Sequence, residues 1–343
     1  MKDIVRGVNI GNWLVLERWM DPDFYEDNKT AHCETDFMLQ FGDKAIPKLT
    51  QHRDTFITKE DFEWIKNAGL NSVRIPVPHW IFGDFEPNLG CIKYLDNAID
   101  WANELGLKVL IDMHCAPGSQ NGEHHSGLCG IMEWHKDPAK IQRTIDVMGK
   151  LTERYKDEKC LWGMQLLNEP DPNLPKDILR DYYTRGYHEI RKHVDENVTV
   201  AFHDQFDMHQ WVDFMQTPEY KNVTIDVHIY HCFGDNGKNF TFQQHLDDQL
   251  DPWLATFKKM QKYFKVIIGE WSLGLNGEGA AMAGQNWVQR DAIRRAFAGV
   301  QLQNYETTDG YFFWSYKTPS KGHADAWSYR AAVENNYFPK VLK

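Results

Sequence analysis

Eight short apolar segments, each followed by a segment with helical spacing, predict that this chain of 343 residues is an α/β protein built as one (β/α)8 TIM barrel. Two further observations support this fold class. The segments are apolar throughout, which is typical of parallel strands covered on both faces. No Pro/Gly/Ser-rich tract, charge block or abrupt change in composition divides the chain. We therefore expect a single domain over residues 1–343.

The predicted strands are separated by stretches long enough to hold a helix each. They are Gly7–Val15, Ser72–Val77, Lys108–His114, Leu161–Asn168, Val198–Asp204, Val223–Tyr230, Lys265–Trp271 and Gly310–Tyr316. An open doubly wound sheet is the competing architecture, and it usually carries a glycine-rich phosphate turn after its first strand. Because Gly7–Asn12 lacks the GxGxxG pattern and no Walker-type GK[ST] occurs, we favour the closed barrel.

Six segments between the strands have helical spacing. They are Lys59–Ala68, Leu95–Leu105, Pro138–Tyr155, Asp177–Val194, Gln243–Tyr263 and Trp287–Asn304. Start and stop signals support the first three. Thr58 and Asp137 precede two of them as candidate N-caps, and Gly69 and Gly106 follow two of them as candidate terminators.

Composition and charge indicate which kinds of molecule the protein binds. The net charge is −11 with a pI near 5.7, and no Lys/Arg cluster stands out, which argues against nucleic acid or an anionic membrane. Aromatic residues make up 13% of the chain, with 13 Trp, and aromatic rings offer flat amphipathic faces on which sugars stack. We expect a neutral or small-molecule substrate and a monomer. The N-terminus lacks the apolar region of a signal peptide, so we expect a cytoplasmic protein, or a secreted one if a leader has been removed.

The sequence contains no motif typical of a metal site or of a disulfide framework. The six cysteines are scattered without a CxxC pair, so we expect reduced thiols rather than a disulfide framework. His188-Glu189 and His193 place two histidines five apart, whereas HExxH needs a spacing of four to put both on one helical face. We predict no metal and no cofactor.

Polar residues gather where the predicted strands end, which is where a barrel of this kind carries its chemistry. They are Arg74 in the second strand, His114 ending the third, Asn168 and Glu169 at the fourth, His228 and Tyr230 at the sixth, Glu270 at the seventh and Trp314 at the eighth. Ionisable groups in otherwise apolar strands are costly unless they are used or paired.

Two of these residues, Glu169 and Glu270, suit the cleavage of a glycosidic bond with retention of configuration. That reaction needs one protonated and one ionised carboxyl group about 5–5.5 Å apart. We predict Glu169 as the acid/base, because Asn168 beside it can bond the sugar 2-hydroxyl, and Glu270 as the nucleophile. Arg74 would hold Glu270 ionised, while the charge of Glu270 would raise the pKa of Glu169.

These residues resemble the active-site set of glycoside hydrolase family 5, a retaining clan A barrel family. The chain looks most like its fungal exo-β-1,3-glucanase branch, from about Arg6 to Pro339. The stretches that carry the resemblance are Gly7–Glu17, Asn71–Pro78, Ala116–Gly122, Asn168-Glu169-Pro170, His203–Phe206, His228-Ile229-Tyr230, Gly269-Glu270-Trp271 and Phe313–Lys317.

The resemblance implies an enzyme that releases glucose from the non-reducing ends of β-1,3-glucans or β-glucosides. Glu17 would bind hydroxyls of the terminal glucose, Trp314 would stack beneath it, and Phe206 and Phe233 would clamp the next glucose. The sequence departs from the family after Gly122, where Glu123-His124-His125 replaces the usual Phe-Asp-Asn. Other family 5 activities, a β-1,4-endoglucanase or an aryl/alkyl β-glucosidase, stay open, as does a non-catalytic carbohydrate-binding barrel.

Overall fold

Eight parallel strands pair in chain order and close into a barrel, which confirms the predicted fold class. The computed structural model describes residues 4–25, 30–248, 252–276, 279–319 and 324–342. The strands are β1 Val5–Asn9, β2 Ser72–Pro78, β3 Lys108–Cys115, β4 Leu161–Gln165, β5 Thr199–His203, β6 Val223–Ile229, β7 Lys265–Trp271 and β8 Gly310–Phe313. Pairing of Val5 with Gly310 and of Val8 with Phe313 joins the first strand to the last.

Helices cover the outside of the barrel and fill several of its loops. They are α1 Pro22–Tyr25, α2 Glu34–Phe41, α3 Ala45–Thr55, α4 Lys59–Asn67, α5 Ile92–Leu105, α6 Pro138–Tyr155, α7 Lys176–Arg191, α8 Gly234–Asn239, α9 Phe242–Asp248, α10 Leu254–Met260, α11 Trp287–Tyr305, α12 Ala324–Trp327 and α13 Tyr329–Glu334. Short 3-10 turns occur at Gly42–Lys44, His124–Ser126, Trp134–Lys136 and Met208–Trp211. Among the described helices, none is long and apolar enough to cross a membrane.

The helix boundaries follow the predicted capping signals. Thr58 and Asp61 form a capping box at the start of α4, and the Asp137 carboxylate accepts a hydrogen bond from the Ala139 backbone N–H at the start of α6. Gly106 ends α5 with φ 64°, a left-handed conformation that favours glycine.

Several predicted boundaries differ from the structure by up to three residues, and two differ more. The first strand ends at Asn9, not Val15, because the chain leaves the sheet after Ile10 and turns at Asn12, whose φ is 59°. Residues 10–16 are nevertheless fully buried, so their apolar character reflects packing rather than a strand. The predicted helix Gln243–Tyr263 is observed in α9 and α10, on either side of residues 249–251, which lie outside the described residues.

The lower end of the barrel is filled by apolar side chains. Val5, Leu110, Ala201, Ile267 and Phe312 form a fully buried cluster inside the sheet. Phe312 fits there because β1 has a glycine opposite it: a Cβ on Gly7 would lie 2.5 Å from the Phe312 ring. The sealed lower end leaves the carboxyl ends of the strands as the place for an open, polar site.

Candidate active site

A cavity of about 610 Å³ opens at the carboxyl ends of the strands. It is lined by Glu17, Trp19, His114, Glu123, His124, His125, Glu169, Phe206, Tyr230, Phe233, Glu270, Trp314 and Trp327. Three further predicted residues, Arg74, Asn168 and His228, are buried and bonded to the carboxylates of the cavity or to one another. The fold therefore brings all the predicted site residues together.

Glu270 is the second-last residue of β7, and both of its carboxylate oxygens accept hydrogen bonds. Arg74 Nη1 donates to Oε1 at 2.9 Å, and the Tyr230 hydroxyl donates to Oε2 at 2.8 Å. Charge-assisted bonds of this kind stabilise an ionised carboxylate. Arg74 contacts Glu270 as expected, but burial raises the pKa of Glu270 to about 7 in spite of this contact.

Arg74 is fully buried and bonded on every side. It donates to Asn9 Oδ1 at 2.8 Å, Gln165 Oε1 at 2.9 Å and Asn168 Oδ1 at 2.7 Å. Burial lowers its pKa, but the carboxylates of Asp112 and Glu270 raise it further, so the guanidinium stays charged. The bond to Asn168 orients that side-chain amide.

Glu169 follows β4 in a left-handed backbone conformation, with φ 36°. Its Oε1 lies 2.6 Å from His228 Nδ1, and the other ring nitrogen of His228 lies 3.2 Å from Asp226 Oδ2. Burial lowers the pKa of His228, but Glu270, Asp226 and Glu169 raise it well above its ordinary value. His228 is therefore an imidazolium between carboxylates.

The same nitrogen of His228 also limits the separation of the two glutamates. Nδ1 lies 2.6 Å from Glu169 Oε1 and 3.6 Å from Glu270 Oε2, so those oxygens can be no further apart than the sum of the two distances, about 6.2 Å. Inverting glycosidases separate their carboxyl groups by roughly 6.5–9.5 Å to admit a water, and retaining enzymes by about 5–5.5 Å. The bound for these two oxygens lies below the inverting range.

The pKa values of the two glutamates differ from the sequence-based expectation. Burial raises the pKa of Glu169, but the hydrogen bond and charge of His228 outweigh burial, and the pKa is lowered. Burial raises the pKa of Glu270 to about 7 against the lowering by His228 and Arg74. The predicted rise at Glu169 is thus wrong for the free enzyme, because the prediction counted the charge of Glu270 but not an imidazolium at 2.6 Å.

Several buried polar atoms in and around the site have no hydrogen-bond partner among the described residues, and Glu17 Oε1 and Asn168 Nδ2 are two of them. The other oxygen of Glu17 accepts from Trp19 Nε1 at 2.7 Å, and burial raises the pKa of Glu17 to about 8. A buried polar atom without a partner is costly. Sugar hydroxyls are groups that can satisfy both atoms.

His114 packs against Trp314 in the floor of the cavity. Their rings are stacked, with centroids 5.5 Å apart and an interplanar angle of 9°, and Asp112 Oδ2 lies 2.6 Å from His114 Nδ1. Gly11 makes room for the indole, since a Cβ there would lie 2.9 Å from Trp314 Cζ2. The ring of Trp314 is thereby fixed from behind by His114.

Phe206 and Phe233 are exposed by 50% and 63%, and both line the cavity. Phe233 meets Tyr230 edge-on at 5.6 Å and lies 6.2 Å from Trp327. Phe206 has φ 62°, and its backbone N–H donates to Asp204 Oδ1 at 2.9 Å. Exposed aromatic rings on a cavity lining are suited to stacking on a ligand.

Sequence reasoning missed several contributors. Trp19 and Trp327, whose rings meet at 5.0 Å, lie outside the strands, where strand spacing gives no signal. Asp226 could have been found, because it stands two residues before His228 in β6 and so shares its face.

Two groups of the described residues have side chains close enough together to hold a metal ion. The ligand atoms of Glu169, His203 and His228 lie within 4.8 Å of one another, as do those of Cys33, Asp36 and Cys129. Both ring nitrogens of His228 already have carboxylate partners, Glu169 at 2.6 Å and Asp226 at 3.2 Å, so a metal ion would have to displace one of these contacts. All six cysteines are free thiols.

A closed (β/α)8 barrel that presents two hydrogen-bonded glutamates at the carboxyl ends of its strands, Glu270 buried and Glu169 half-buried, has the architecture of a carbohydrate-cleaving hydrolase. The family model described as Cellulase (glycosyl hydrolase family 5) matches residues 40–320. The chain belongs to glycosyl hydrolase family 5 and is a glycoside hydrolase.

Curated relatives cover nearly the whole chain. It is 34% identical to "Probable glucan 1,3-beta-glucosidase A" of Aspergillus fumigatus, over 99% of this chain and 88% of the relative. It is 32% identical to "Glucan 1,3-beta-glucosidase" of Candida oleophila, over 99% of this chain and 89% of the relative.

Solved structures share the fold at lower identity. The rutinosidase from Aspergillus niger superposes with a TM-score of 0.82 at 20% identity, with 97% of each chain covered. Cel5A of Thermotoga maritima in complex with cellobiose gives 0.59 at 19% identity, with 91% of this chain and 90% of that chain covered.

Proposed function

We propose that this enzyme removes glucose from the non-reducing ends of β-1,3-glucans with retention of configuration, with Glu270 as nucleophile and Glu169 as acid/base. The observation that carries the proposal is the placement of His228 Nδ1, 2.6 Å from Glu169 and 3.6 Å from Glu270. One nitrogen reaches both carboxylates, so the pair is close enough for attack without an intervening water. The two relatives named glucan 1,3-beta-glucosidase support the substrate.

In the first step, Glu270 attacks the anomeric carbon while Glu169 protonates the leaving oxygen. Arg74 and Tyr230 orient the nucleophile by bonding both of its oxygens. As Glu169 gives up its proton, the imidazolium of His228 stabilises the carboxylate that forms. The result is a glucosyl ester on Glu270 and a released chain.

Glu169 must be protonated before it can act as the acid, but in the free enzyme its pKa is lowered. Substrate binding therefore has to raise this pKa. A sugar in the cavity excludes water from Glu169, and that desolvation favours the protonated carboxyl. In the second step the ester has neutralised Glu270, so the pKa of Glu169 falls again and it can accept a proton from the attacking water.

Glu17 and Asn168 suit the binding of the terminal glucose. Glu17 Oε1 and Asn168 Nδ2 are buried and have no hydrogen-bond partner among the described residues, and each can bond a hydroxyl. Arg74 fixes the Asn168 amide so that its N–H2 group faces away from the guanidinium. A bond to the 2-hydroxyl from this amide would strengthen in the transition state.

A second candidate, a β-glucosidase that prefers aglycone-bearing or short substrates, is favoured by the altered rim. Glu123 lines the cavity at the position where the resemblance to the family implies Phe, so a charged side chain takes the place of one ring on which a second glucose could stack. We also propose that the enzyme acts as a monomer.

Time-resolved NMR during hydrolysis of a soluble β-1,3-glucan tests the proposal. We expect glucose as the sole early product, first seen as the β-anomer. An α-anomer as first product would contradict retention, and a ladder of oligomers would contradict the exo mode. Parallel assays on a β-1,4-glucan and an aryl β-glucoside separate the alternatives by kcat/KM.

A further inference from the structure

We propose that His125 is a positioning residue for the acid/base, which holds Oε2 of Glu169 on the side opposite His228. This inference rests on the proposed role of Glu169. It gives a function to the rim segment in which this chain departs from its family. The carboxyl group of Glu169 is then set between two imidazoles, one for each oxygen.

The contact itself is direct. His125 Nε2 lies 3.4 Å from Glu169 Oε2, while His228 Nδ1 lies 2.6 Å from Oε1. Because His228 occupies Oε1, Oε2 is the oxygen that can face the leaving group. Polar contacts of catalytic groups are often long in empty sites and shorten when substrate binds.

The backbone of His125 is held in place by its neighbours. The Cys115 thiol, at the end of β3, donates to the His125 carbonyl at 3.1 Å. The next residue, Ser126, is bonded to Ser119 Oγ at 2.6 Å and donates to the Glu123 carbonyl at 2.6 Å. The imidazole is therefore presented on a fixed turn, not on a free loop tip.

His125 is neutral at working pH, since burial lowers its pKa to about 4. The titratable groups that act on it are Glu169, His114, His228 and Asp112, and His124 adjoins it on the same turn. A neutral imidazole has one donor and one acceptor nitrogen. It can donate through Nε2 to Oε2 of Glu169 in either protonation state, because a protonated carboxyl group keeps acceptor capacity, and this bond restrains the carboxyl plane.

His124 provides a matched comparison, because it is adjacent in sequence but contacts a different carboxylate. Its Nε2 lies 3.7 Å from Glu17 Oε2, on the side of the cavity where the terminal glucose would bind. Loss of His124 should weaken the binding of every glucoside alike. Loss of His125 should matter only where the leaving group needs protonation.

The experiment measures kcat/KM for a series of aryl and alkyl β-glucosides whose leaving groups span a wide pKa range. For His125→Ala we expect a loss of roughly tenfold or more on the poorest leaving groups and under about threefold on dinitrophenyl glucoside, which needs little acid assistance. The plot of log kcat/KM against leaving-group pKa becomes steeper. His125→Asn, which keeps an N–H donor, should recover part of the loss.

For His124→Ala we expect the same factor of loss on all substrates, hence a line parallel to that of the wild type. A parallel or unchanged line for both His125 variants would overturn the positioning role. If His125→Ala unfolds, His125→Asn alone decides, because the slope is measured on active enzyme. Wild-type protein that cleaves none of the glucosides would instead overturn the proposed function.

Discussion

His228 Nδ1 lies 2.6 Å from Oε1 of Glu169, and this contact sets the charge state of the site. Without it, burial would raise the pKa of Glu169; with it, the pKa is lowered. Glu270 and Asp226, the latter 3.2 Å from the other ring nitrogen, raise the pKa of this imidazole well above its ordinary value. The pKa of Glu169 thus depends in part on Asp226, a buried carboxylate of β6 that is not among the residues lining the cavity.

Replacing Glu169 with Gln should remove proton donation and leave the nucleophile in place. We expect kcat/KM on glucosides with poor leaving groups to fall roughly 10²–10⁴-fold, and far less on dinitrophenyl glucoside. Steady-state kinetics on both substrates check this. Equal losses on the two would contradict the acid role of Glu169.

Arg74→Lys keeps a positive charge but not the four hydrogen bonds that the guanidinium makes to Glu270, Asn168, Gln165 and Asn9. We expect kcat/KM to fall by about 10²-fold or more, because both Glu270 and Asn168 lose their orientation. Activity within threefold of wild type would show that charge alone is enough. Circular dichroism confirms that the variant is folded.

Phe233→Ala should affect substrates in proportion to their length. The ring is 63% exposed on the cavity lining, and loss of an aromatic contact of about 0.5–1.5 kcal/mol predicts a rise in KM of up to roughly tenfold for laminaritriose. Hydrolysis of β-glucosyl fluoride, which has no second sugar, should stay near wild type.

Trp287→Ala is the control, since this 76% exposed side chain is not among the cavity-lining residues. An equal rise in KM for both substrates would exclude a clamp.

The buried His52 should make the free energy of unfolding depend on pH. Burial lowers its pKa to about 4, and its Nε2 lies 2.7 Å from the Asn12 carbonyl. The unfolded chain takes up a proton on this residue below a pKa of about 6.5, whereas the folded protein does so only near 4, so protons favour unfolding in between. Relative to His52→Gln, the wild type should lose about 2 kcal/mol of unfolding free energy between pH 6.5 and 5.

Urea unfolding of wild type and His52→Gln at both pH values measures that difference. Other buried groups titrate in the same range, and their contributions cancel in the comparison. A constant difference between the two proteins across the range would show that His52 is protonated in the folded state.

The barrel and the carboxylate pair could be predicted because they depend on local patterns. Apolar segments at regular spacing set the eight strands, and a polar residue that ends such a segment must lie at the mouth of the barrel. Arg74, Glu169 and Glu270 were found in this way. The end of β1 could not be found, because residues 10–16 are as apolar as a strand but are buried in a turn.

The electrostatic state of the site and its rim could not be predicted. The protonation of His228 depends on three carboxylates from β4, β6 and β7, whose distances only the folded structure supplies. The contact of His125 with Glu169 joins a loop after β3 to a loop after β4, and loop conformations leave no periodic signal in the sequence.

The proposed mechanism requires that Glu270 becomes covalently glucosylated, and trapping this intermediate tests that step. A 2-deoxy-2-fluoro-β-glucoside with an activated leaving group should inactivate the enzyme with a mass increase of one fluoroglucosyl unit. Peptide mapping should place the label on Glu270, and Glu270→Ala should take up none while azide restores cleavage with inverted product. A label on Glu169, or no label in an enzyme that turns over aryl glucosides, would contradict the role of Glu270 as nucleophile.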